Sequence, residues 1–76
     1  MQYLFEHGTE LCDEIEVLIE KNNSEKVNKL EHLHEATLTC LEMVIYTKST
    51  SVLAEIQRNM NTIDSALTSI KKDEQS

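Results

Sequence analysis

Apolar residues recur along this chain at helical spacing. Leu4, Gly8, Leu11, Ile15 and Leu18 follow steps of 4, 3, 4 and 3, the seam of an amphipathic helix. Cys12, Ile19 and Phe5 widen that seam on one side. Asn and Ser at Lys21-Asn22-Asn23-Ser24 then favour a turn, and Asn22 with Glu25 has capping-box spacing. A second segment carries Val27, Leu30, Leu33, Thr37, Leu41 and Val44 on one side, flanked by Leu38, Cys40 and Ile45. This broader arc suits a middle helix with two neighbours. Thr47-Lys48-Ser49-Thr50-Ser51 breaks the pattern and offers N-cap residues. Leu53, Ile56, Met60, Ile63, Leu67 and Ile70 form the third and most regular seam. Lys71 and Lys72 close it, where cations suit the negative end of the helix dipole.

These periods predict a single all-α domain over 1–76. It is an antiparallel three-helix bundle, or a long helical hairpin plus a third helix, built on coiled-coil-like seams. The helices are expected at about 3–21, 24–47 and 52–71, with a frayed tail at 73–76 that has nothing apolar to bury.

Composition narrows the function. The chain has one Gly, no Pro and no Trp, which argues against an all-β fold. No run of about 18 apolar residues is present, so no membrane insertion is expected. Residues Met1-Gln2-Tyr3-Leu4-Phe5-Glu6 lack the basic and apolar regions of a signal peptide. A cytoplasmic setting with free Cys12 and Cys40 thiols is therefore expected, a Cys12–Cys40 disulfide being the competing possibility. The net charge of −7 disfavours direct contact with nucleic acid. That charge is uneven. Residues 1–20 hold Glu6, Glu10, Asp13, Glu14, Glu16 and Glu20 and no Lys or Arg, whereas residues 52–72 balance Glu55 and Asp64 against Arg58, Lys71 and Lys72.

Candidate chemistry is sparse. Glu31 and His34 have the Glu-x-x-His spacing of di-iron bundles, but a second copy and two further inward carboxylates are missing. His34 is expected to pack between helices and His32 to be solvated. Both thiols lie on apolar faces, where a thiol is a poor nucleophile, and Gly8 alone cannot make a phosphate loop. No catalytic residue, metal site or cofactor is assigned, and no enzyme activity is expected.

Two features point outward. Val17 lies within the acidic arc among Glu10, Asp13, Glu14 and Glu20. Met43 and Tyr46, three apart, lie off the main arc of helix 2, either as an interface or as cover for a neighbouring helix. We take Met43, Tyr46, Val17, Glu10, Asp13 and Glu14 as candidate partner-binding residues. Gly8, at a seam position, lets another helix approach closely, with a local fray as the competing reading.

Size, acidity and seams such as Leu53-x-x-Ile56-x-x-x-Met60-x-x-Ile63 make the chain resemble the small helical chaperones and co-chaperones of type III secretion and flagellar export. The resemblance implies a non-enzymatic protein that holds an amphipathic helix of a partner. Three seams leave more apolar edge than three helices can cover among themselves, so a homodimer or hetero-complex is expected. The alternative is an acidic inhibitor that covers a basic nucleic-acid-binding surface of another protein.

Overall fold

A computed structural model describes residues 2–21 and 26–75. Three helices follow one another, α1 (Gln2–Lys21), α2 (Lys26–Tyr46) and α3 (Thr50–Gln75), and no strand occurs among the described residues. The Asn22/Glu25 capping box lies outside those residues. The body is elongated, 40 × 18 × 17 Å.

The second break works as its sequence requires. The Thr47 amide donates to the Met43 carbonyl at 2.9 Å, ending α2. Thr47 Oγ1 then accepts from the Ser49 amide at 3.2 Å, and Ser49 Oγ accepts from the Val52 amide at 3.4 Å. Ser49 is thus the N-cap of α3, satisfying an amide that has no partner inside the helix. With this cap α3 starts at Thr50 rather than Val52 and runs to Gln75, past the expected end near 71 and through most of the segment expected to fray.

Four contacts set the arrangement. Gly8 faces Leu41, and Glu16 faces His34, so a step forward on α1 is a step back on α2. His7 lies 4.0 Å from Asp64 and Glu14 lies 3.2 Å from Lys71, so α1 and α3 run parallel, both antiparallel to α2. The result is an up-down-up three-helix bundle. The core runs along the seams: Leu4, Leu11 and Ile15 of α1; Leu30, Cys40 and Val44 of α2; Ile56, Met60, Ile63, Leu67 and Ile70 of α3. Each such side chain, fully buried, contributes about 1.5–3 kcal/mol. Thr37 is fully buried in this seam and donates its hydroxyl to the Leu33 carbonyl at 2.7 Å, so its one polar atom costs little.

Gly8 belongs to this core. A Cβ placed on it would stand 2.6 Å from Leu41 Cδ2 and 3.0 Å from Met60 Cε. The missing side chain makes room for α2 and α3 of the same chain. Leu38 and Ile45 do not flank the core as their position beside the arc implied: they are 46% and 61% exposed. Phe5, expected to extend the α1 seam, is 44% exposed.

Candidate protein-binding surfaces

The candidate residues separate into three places. Val17, Asp13 and Glu14 line a shallow groove between α1 and α3 with Leu18, Lys21 and Lys71. Its walls carry both signs of charge, and the Glu14–Lys71 bridge closes one side. Glu10 is exposed on the same helix and does not line the groove. Met43 lies in a groove toward α3, with Ala36 and Cys40 on its own helix and Asn59, Thr62 and Ile63 across from it. Met43 is itself exposed. Tyr46, three residues on, is 84% exposed at the end of α2. The antiparallel register puts Val17 and Tyr46 toward opposite ends of the bundle, so the six residues do not form one site.

A different surface appears on the α1–α2 hairpin. On α1 the α3-facing flank is marked by His7 and Glu14, and the opposite flank by Glu16. Phe5 and Cys12 fall in line with Glu16 at helical spacing. On α2 His34 is followed along the same flank by Leu38, Leu41 and Ile45. Carrying the Gly8–Leu41 and Glu16–His34 register onward brings Phe5 level with Ile45 and Cys12 level with Leu38. The hairpin thus presents an apolar strip on its side away from α3, with exposed Phe5, Leu38 and Ile45 above buried Cys12 and half-buried Leu41. It spans about 16 Å from Phe5 to Glu16, roughly three helical turns. Sequence reasoning assigned Leu38 and Ile45 to the core arc. The signal that separates them is their position beyond Leu41, on the rim of an arc too wide for α1 and α3 to cover.

Histidines and thiols sit around this frame. His34 Nε2 is 3.1 Å from Glu16 Oε1, so this half-buried side chain links α2 to α1, while His32 is exposed. His7 stacks on the Tyr3 ring with centroids 6.0 Å apart. Among the described residues no three His, Cys, Asp or Glu side chains gather as a metal-binding group. Glu31 is exposed, and His34 turns to Glu16 instead. Cys12 and Cys40 are free and buried. Burial pushes both thiols above their ordinary value. The Cys12 thiol is pushed further by the negative charge of Glu16 and then Asp13. Neither thiol is activated as a nucleophile. No described helix is long and apolar enough to cross a membrane.

No family model, no curated protein and no solved structure matches this chain.

Proposed function

We propose that this chain is a non-enzymatic protein-binding module, a small acidic chaperone or adaptor that holds an amphipathic helix of a partner in a hetero-complex. One observation carries the reading: the exposed Phe5–Leu38–Ile45 strip on the α1–α2 hairpin. Single exposed apolar side chains are ordinary on a small protein. Three large ones beside a half-buried Leu41 offer an apolar seat for an amphipathic helix.

The test is binding of a panel of helical peptides, read by fluorescence anisotropy. Wild-type protein binds members with an apolar ridge. The L38S/I45S variant keeps its helicity, because both side chains are already largely exposed, and loses binding by about tenfold or more. Equal binding by the variant removes the strip from the function.

A second reading is an acidic inhibitor lying on a basic surface of another protein. It is favoured by Glu10 and Asp13, which have no ion-pair partner among the described residues. Binding of that kind falls steeply with salt and survives L38S/I45S.

A further inference from the structure

We infer that the hairpin strip is built for a cationic amphipathic helix, one whose apolar ridge is bordered by Lys or Arg; this rests on the reading of the chain as a protein-binding module and names the partner's chemistry. The ground is how charge is laid out around the strip. On α1 the apolar line Phe5, Cys12, Ile19 repeats every seven residues, and the next residue each time is Glu6, Asp13, Glu20. Glu6 and Glu20 therefore border the strip's outer edge, while Asp13 turns toward the α1–α3 groove. On α2 Leu38 has Glu35 one turn before it and Glu42 one turn after it. All five of these acids are exposed. Residues 2–20 and 30–47 hold nine acids and no Lys or Arg. Two of the hairpin's lysines turn elsewhere: Lys21 lines the α1–α3 groove and Lys29 the α2–α3 groove.

An apolar strip between two acidic edges selects its occupant. A neutral or acidic helix gains the apolar contact but meets like charge along both sides. A second copy of this chain, docked strip to strip, sets acidic edges against acidic edges. A helix of about three turns with basic residues flanking an apolar ridge gains on both counts. The Glu16–His34 contact closes one end of the strip and leaves Phe5, Leu38 and Ile45 as the seat.

The experiment uses the whole chain and two synthetic helical peptides with the same leucine ridge, one flanked by Lys and the other by Glu. Amide signals are followed by two-dimensional NMR during titration, and sedimentation equilibrium gives the mass at low salt. We expect the Lys peptide to move the signals of Phe5, Leu38 and Ile45 and to bind about tenfold tighter than the Glu peptide. E35Q/E42Q weakens the Lys peptide by about fivefold and leaves the Glu peptide unweakened. Because both acids are exposed, this variant keeps the fold, which its spectrum verifies.

Equal affinity for the two peptides at those residues overturns the cationic partner but leaves the protein-binding reading standing. A low-salt dimer that I45S dissociates assigns the strip to a second copy and also overturns the inference. If neither peptide moves those signals and the chain is monomeric, both the inference and the reading beneath it fail.

Discussion

Gly8 is the residue whose replacement reports the packing most directly. Within a helix Ala is favoured over Gly by about 1 kcal/mol. Here the added methyl would meet Leu41 Cδ2 at 2.6 Å and Met60 Cε at 3.0 Å, so both neighbours must move. Overpacking costs about 1–3 kcal/mol and outweighs the helix gain. G8A is expected to lower stability by about 1 kcal/mol in urea unfolding. Truncating Leu41 removes the closest obstacle, so in an L41A background the same change should stabilise. A destabilising G8A in both backgrounds would locate the clash elsewhere. The thiols make a second prediction at this scale. Burial raises both pKa values in the fold, so the folded state favours the neutral thiol. That stability is present below the unfolded thiol pKa of about 8.5 and is lost as pH rises through the folded value. Unfolding free energy should fall on the alkaline side, with a shallower slope in C12A/C40A. E16Q removes one of the charges that raise Cys12, so native alkylation of Cys12 at fixed pH should speed up while that of Cys40 does not.

Among the elements, α3 depends most on its seam. Ile63 is buried between Met60 and Leu67, and I63A should leave a cavity costing about 2–4 kcal/mol. For a domain holding about 5 kcal/mol, that unfolds a visible fraction of molecules at room temperature. A melting temperature within a degree or two of wild type would mean that α3 is not anchored there. That seam was legible in the sequence because heptad steps fix which side of a helix is apolar, and Ile56, Met60, Ile63, Leu67 and Ile70 are all buried as the steps require. The same logic failed at Leu38 and Ile45. Periodicity tells which way a side chain points on its own helix and not how far a neighbour reaches across it. Cover for those two depends on where α1 ends and on which flank α3 takes. Met43 and Tyr46 show the same limit: one turn separates them, and Met43 lines the groove beside α3 while Tyr46 is 84% exposed. The Glu16–His34 contact joins residues eighteen apart and becomes visible only once the hairpin register is known. The cap region, by contrast, was legible because Ser and Thr at a helix start have a local use for their hydroxyls.

At the level of the whole molecule, charge opposes folding more than it assists it. The net charge is −7 on a body 40 Å long, and six acids fall within the first twenty residues. Along α1, Glu6/Glu10, Glu10/Glu14 and Glu16/Glu20 are like charges one turn apart, each costing a few tenths of a kcal/mol. Against this, Glu14–Lys71 is an exposed pair worth about 0–1 kcal/mol. Repulsion along α1 therefore exceeds this attraction by up to about 1 kcal/mol at low ionic strength. Salt screens both, so raising sodium chloride to about 0.15 M, where the screening length is about 8 Å, should stabilise the fold. For a chain of this size 1 kcal/mol corresponds to about 4–8 °C in melting temperature. A scan of melting temperature against salt should rise and then level off. Neutralising α1 by E10Q together with E20Q should raise the low-salt value and flatten the curve. A melting temperature that falls as salt is added would show that attractive pairs dominate, and the acidic helix would then carry no electrostatic cost for a basic partner to relieve.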